Sequence, residues 1–168
     1  SCVAQALHAC EEALHPRCRL LDGSARMRSD VRSNAPFFMA LHRHMIACGR
    51  RSCPRSALEV GRLLLSLDPW ADPMHALLHV DYYAHAAYDA MRSGGGGGGG
   101  TGGSGTCGGG GEAERTLAWL LELPSQLPHH SLHLYPSYAL SAALARGKLA
   151  RQIEQRERRL NESVADAA

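Results

Sequence analysis

The sequence predicts an all-α fold of antiparallel helix hairpins, a tetratricopeptide-like helical repeat interrupted by a disordered Gly-rich insertion. Three observations carry this. The composition is 45% hydrophobic but only 5% aromatic, and it is dominated by Leu and Ala, which favour helix, with few β-branched residues. Apolar residues recur at three- and four-residue intervals through most of the chain. Pro, Gly and Asp-Pro pairs punctuate those runs at intervals suited to helix ends. With 168 residues the chain is long enough for one domain with a core. Residues 93–111 hold 14 Gly in 19 positions and cannot bury a core, so about 150 residues remain to fold.

Residues 2–15 place Val3, Ala6, Leu7, Cys10, Ala13 and Leu14 at helical spacing, and Pro16 ends that helix. Residues 17–35 are polar and read as a loop with an Asp22-Gly23 turn. Pro36 suits a first helical turn with Asn34 as its cap. Phe37, Phe38, Leu41, Met45, Ile46 and Cys48 then form an apolar face, and Gly49 is expected to stop the helix in a left-handed conformation. Pro54 starts the next helix after Ser52 or Cys53, with Ala57, Leu58, Val60, Leu63, Leu64, Leu65 and Leu67 on its buried side. Asp68-Pro69 closes it. Asp72-Pro73 is expected to cap and open a helix over 73–91 whose apolar residues include Leu77, Leu78, Val80, Tyr82 and Tyr83.

Beyond the Gly-rich tract, residues 112–123 form a short amphipathic helix with Glu112 and Glu114 in its first turn, and Pro124 and Pro128 bracket a break. Pro136 begins the last helix, with Tyr138, Leu140, Ala143, Leu144, Leu149 and Ile153 as its apolar side; Gly147 weakens it by about 1 kcal/mol relative to Ala. The organisation is therefore residues 1–92 as a first helical part, 93–111 as a disordered loop, and 112–163 as a second helical part ending in a basic helix. The tract is an expanded turn between two helices, because lengthening a surface loop costs only about 0.6 kcal/mol per doubling. It lacks the GxxxxGK[ST] pattern of a phosphate-binding loop. Against the tetratricopeptide pattern, Ala57 and Pro69 fit while Gly61 and Leu64 do not.

A net charge of +2 is too small to indicate a nucleic-acid binder from global charge. No apolar run approaches the roughly 20 residues of a membrane span, so no membrane partner is expected. A chain opening on Ser1 with a helical pattern running from Cys2 reads as the middle of a longer protein. The six cysteines, at 2, 10, 18, 48, 53 and 107, do not form the framework of a small secreted domain, and buried free thiols are the plainer reading.

Clusters of reactive residue types lack catalytic spacing. His42, His44, Cys48 and Cys53 fall within twelve residues, but helical residues two apart point in different directions, so no zinc site is expected. Cys53 beside Arg50 and Arg51 has no base with an orienting third group. His129, His130 and His133 read as a solvated loop. Asp68 and Asp72 sit at helix ends, where Asp caps and bonds turns, and with Asp81 they make no catalytic carboxylate set. No enzyme, cofactor or metal is expected. The candidate contact residues are Arg43, Arg50, Arg51 and Arg55, a basic patch on and beside one turn, suited to an acidic protein surface or RNA phosphate.

The run PFFMALHRHM, then GRRSCPRSALE, then LLLSLDP, then Asp72-Pro73 with a following DYYA, resembles the transcription factor 25 family. The family is also called nuclear localised protein 1, and its fungal members are subunit one of the ribosome quality control complex. Upstream ALHACEEALHP and downstream LYPSYALSAALA extend the likeness to residues 4–91 and 112–145. Ser52 stands where the family typically has Gly before Cys, and the Gly-rich tract is not a family feature. The resemblance implies a non-catalytic scaffold working with the stalled large ribosomal subunit, a listerin-type ubiquitin ligase and a segregase ATPase in nascent-chain degradation. It implies a cytoplasmic, ribosome-associated location. The alternatives are a nuclear transcriptional regulator of the same family and a generic helical-repeat protein-binding module.

Overall fold

The periodic runs fold as helices in the computed structural model, which describes residues 2–15, 18–20, 23, 25–93 and 109–165. The α-helices are α1 (Cys2–Ala13), α2 (Ala35–Arg50), α3 (Pro54–Leu67), α4 (Leu77–Ser93), α5 (Gly109–Gln126) and α6 (Pro136–Ala165). Single 3-10 turns occur at Arg32–Asn34, Pro128–His130 and Leu132–Leu134. No strand occurs among the described residues, and no helix there is long and apolar enough to cross a membrane. Pro16, Asp22, Cys107 and most of the Gly-rich tract lie outside the described residues, and with them the expected first helix stop, the start of the Asp22-Gly23 turn and the disordered insertion.

Each helix packs on its successor, and α6 also packs on α4. One core joins Phe37, Phe38 and Met45 of α2, Leu58 and Leu64 of α3, Val80, Tyr83 and Ala87 of α4, and Leu117, Leu120 and Leu123 of α5. α1 contributes only partly buried Leu7 and Cys10.

Two glycines set the spacing of this core. Gly49 does not end α2; it lies inside the helix, and a Cβ there would meet the Tyr83 hydroxyl at 2.5 Å. The expected left-handed stop is instead Ser52, with φ of 58°. Gly is favoured in that conformation because a Cβ crowds the following carbonyl. Gly61 of α3 faces Val80, whose Cγ1 would stand 2.8 Å from an added Cβ. Leu64, 2% exposed, fills the core one turn on. The two positions that depart from the tetratricopeptide pattern are thus a close contact and a core plug.

The start of α4 lies four residues later than the Asp72-Pro73 signal suggests. Asp72 and His75 both adopt positive φ, which interrupts any helix through 72–76. Asp72 still caps: its carboxylate accepts from Ala76 N–H at 2.8 Å and Leu77 N–H at 3.1 Å. Asn34 holds the cap position of α2, yet its side chain donates to Arg28 O at 2.8 Å instead of to the helix. The preceding loop is tied to the end of α3, where Met27 N–H meets Leu67 O at 2.8 Å and Ser29 N–H meets Asp68 Oδ2 at 2.9 Å.

α5 also exceeds its expected span and carries Pro124 inside it. A proline has no N–H for the carbonyl four residues back, here Leu120 O. The Tyr138 hydroxyl donates to that carbonyl at 2.8 Å. A residue eighteen positions away thereby satisfies the group that the proline orphans, and the helix continues to Gln126.

α6 turns a different face inward from the one its apolar pattern suggests. Tyr138, Ala142 and Ala145 are buried, while Leu140 is 73% and Ile153 58% exposed. The face is chosen by a polar seam with α4. Ser141 Oγ donates to buried Asp81 at 3.0 Å, His85 Nε2 lies 3.0 Å from Ser141 O, Lys148 pairs with Asp89 at 2.7 Å, and Arg92 donates to Gln152 at 2.7 Å. These residues share one stripe on each helix, which faces Ser141 to Asp81 and leaves Leu140 outside.

Tyr138→Phe is expected to cost about 1–3 kcal/mol by leaving Leu120 O unpaired. In a Pro124→Ala background, where residue 124 regains its N–H, the same change should cost less than about 1 kcal/mol. Denaturant unfolding of the four proteins of this cycle checks it; equal costs in both backgrounds would refute the account. Ser52→Gly should raise stability by about 1 kcal/mol, and a lowered unfolding midpoint would show that the serine side chain supports the turn.

Candidate interaction surface

The α2–α3 turn, residues 51–53, carries the basic patch singled out in the sequence. Arg43, Arg50, Arg51 and Arg55 are all exposed. They do not share one cleft. Arg43 lines a shallow cleft with Cys2, Val3 and Ala6 of α1. Arg55 points the other way along the fold and pairs with Glu112 at the start of α5. Arg50 and Arg51 make no ion pair with a described residue.

The histidine and cysteine cluster spreads in the way helical geometry dictates. The His44 ring lies 3.6 Å from Cys48 Sγ within α2. His42 faces the His79 ring of α4 with centroids 5.5 Å apart. Burial lowers the His42 pKa below its ordinary value near 6.5, and His79 adds to that effect. Of the described cysteines only Cys48 is buried; Cys2 and Cys53 are exposed, which corrects the expectation of buried thiols throughout. The carboxylates serve the backbone and the α4–α6 seam: Asp68 accepts from Ser29 and Ala71, Asp72 caps α4, and Asp81 accepts from Tyr82 N–H and Ser141.

His129 and His130 are more than a solvated loop. Both Nε2 atoms reach Pro69 O, at 2.8 and 2.7 Å, and Trp70 stacks on the His129 ring with centroids 4.0 Å apart. The loop after α5 is therefore clasped to the turn after α3. His133 is exposed beside them.

A feature not singled out in the sequence lies between these two clasps. α3 and α5 both pack on α4 and flank a trough. One end, about 350 Å³, is lined by Arg55, Leu58, Glu59, Glu112 and Arg115, with Ala87 and Met91 of α4 behind. The other end, about 340 Å³, is lined by Arg26, Leu65, Pro69, Leu123 and Leu127. Arg62 and Trp119 line both. The Arg62 guanidinium lies over the Trp119 ring, 4.2 Å from its centroid, and pairs with Glu59 at 2.7 Å. Its side chain is 27% exposed, and its buried Nε–H has no hydrogen-bond partner. Burial pulls its pKa below the ordinary arginine value although Glu59 pulls the other way; an arginine remains charged regardless. The sequence signal was present: Arg62 falls on the Leu58–Leu65 stripe of α3, at a spacing that otherwise holds apolar residues.

Comparison with known proteins agrees with this helical reading. Residues 1–91 match the model of the family described as "Transcriptional repressor TCF25". The chain is 43% identical over 82 residues to "Probable transcription factor claV" of Ampulloclitocybe clavipes, covering 49% of this chain and 10% of that protein. It is 40% identical over 82 residues to "Ribosome quality control complex subunit TCF25" of Homo sapiens, covering 49% of this chain and 12% of that protein. The protein of that name in Mus musculus is 28% identical over 167 residues, covering 99% of this chain and 21% of its own length. The chain thus spans between a tenth and about a fifth of these relatives. No solved structure matches it significantly. With more than half of its residues matched by the family model, and helices where the family-like runs stand, the chain belongs to the TCF25 family.

Proposed function

We propose that this chain is part of a non-catalytic helical scaffold in ribosome-associated quality control. The observation that carries the reading is the 40% identity, over 82 residues, to a human ribosome quality control complex subunit. The chemistry fits a scaffold. Asp68 and Asp72 serve the backbone of turns and helix starts, and Asp81 and Asp89 serve the α4–α6 seam. Helices packed each on the next, with α2 and α3 joined by the short turn 51–53, support a tetratricopeptide-like series of antiparallel hairpins, in two parts on either side of the Gly-rich tract.

On this reading the partners are the stalled large ribosomal subunit, a listerin-type ubiquitin ligase and the segregase ATPase, and the protein works in the cytoplasm on ribosomes. Arg50 and Arg51, exposed and without ion pairs among the described residues, are the residues best placed for an acidic surface or RNA phosphate. Arg43 and Arg55 extend that contact only to a partner broad enough to reach both sides of the turn. A second reading, nuclear transcriptional regulation, is favoured by the family description and by the fungal relative's name.

Sedimentation of the protein carrying this segment, after ribosome stalling is induced, separates the two. Co-migration with large subunits is expected, and Arg50→Glu with Arg51→Glu should reduce it by about tenfold or more, since each charge reversal at a phosphate or carboxylate contact costs on the order of 1–2 kcal/mol. A protein that stays free of large subunits under stalling would contradict the scaffold reading and favour the nuclear one.

A further inference from the structure

We propose that the trough between α3 and α5 is a docking site for an extended acidic peptide segment of a partner protein, with Arg62 receiving one of its carboxylates. This concerns a different surface from the basic turn and stands whether or not the protein meets the ribosome.

The charges select an anion. Arg26, Arg55, Arg62 and Arg115 line the trough against Glu59 and Glu112. Arg62 is the centre of it, because it borders both ends and is the most constrained of the four. Trp119 holds its guanidinium by a cation–π contact, and Glu59 takes Nη1. The buried Nε–H is left without an acceptor. A carboxylate that meets the exposed part of the guanidinium, whose side chain is 27% exposed, adds a charge-assisted bond there. The tryptophan has already fixed the arginine's conformation, so little entropy is lost when the bond forms.

The walls select a peptide over a nucleic acid. Leu58, Leu65, Ala87, Met91 and Leu123 give the trough an apolar lining that suits aliphatic side chains between the acidic ones. Trp119 has one face already covered by Arg62, which removes that face as a stacking platform for the bases of a nucleic acid. Along α3 the lining runs from Arg55 to Ser66. At helical rise this is about 17 Å, the length of about five extended residues.

The test is fluorescence titration of the Trp70→Phe protein, in which Trp119 is the remaining indole. The probe is an acetylated hexapeptide alternating aspartate and leucine. A saturable change in Trp119 emission is expected, weakened about tenfold or more by Arg62→Met, in line with the loss of one charge-assisted bond. Circular dichroism verifies that the variant is folded. A second arm needs no variant: replacing each aspartate of the peptide by asparagine should abolish saturable binding to the parent protein. Unchanged emission up to millimolar peptide, equal binding of the asparagine peptide, or saturable binding of oligouridylate in place of the acidic peptide would each overturn the proposal.

Discussion

α4 lies closer to α2 and α3 than a methyl group would permit. Tyr83 presses on Gly49 of α2 and Val80 presses on Gly61 of α3. These two contacts are one turn apart on α4, so they fix its rotation and its height together. That placement presents Asp81, His85, Asp89 and Arg92 toward α6 and Ala87 and Met91 toward α5. The seam that orients α6 and the floor of the trough are both consequences of where α4 sits. Helix interiors normally disfavour glycine by about 1 kcal/mol each, and here that cost is offset by close packing of two aromatic and branched side chains.

The helical runs were legible in the sequence because their periodicity and punctuation are local properties. The extents of α3 and of the α2 core face follow from Pro54, Asp68-Pro69 and the aromatic pair Phe37-Phe38 without any tertiary information. The errors fall where a distant group intervenes. Pro124 is a strong local stop, and it is overridden by Tyr138, whose hydroxyl takes the place of the missing N–H. Gly49 reads as a left-handed stop, but its smallness serves Tyr83 of another helix, and the left-handed residue is a serine that nothing local marks. The apolar stripe through Leu140 and Leu144 stays exposed, because the face of α6 that carries Ser141 is turned to buried Asp81.

The same division holds for the surfaces. Clustered arginines around the α2–α3 turn are visible in the sequence, but their separation into two directions depends on α1 and α5. Arg55 meets Glu112, 57 residues away, and Arg43 meets the start of α1. The Arg62–Trp119 pair joins two residues that no sequence interval connects, and only the shared packing of α3 and α5 on α4 brings them together. A helical stack built this way carries surface side chains whose orientation depends on the helix between them. Changes at that buried helix should therefore propagate to both exposed faces.

The spacing of α4 is the claim on which the rest hangs, and Gly61→Ala tests it most directly. Gly147→Ala in α6 is the control, since an added methyl there meets nothing within 4 Å. With both measured by urea unfolding, Gly147→Ala should gain up to about 1 kcal/mol from helix propensity, while Gly61→Ala should lose about 1–3 kcal/mol as Val80 is forced away. A Gly61→Ala protein as stable as the Gly147→Ala protein would contradict the account, because it would show that α3 and α4 have room to spare.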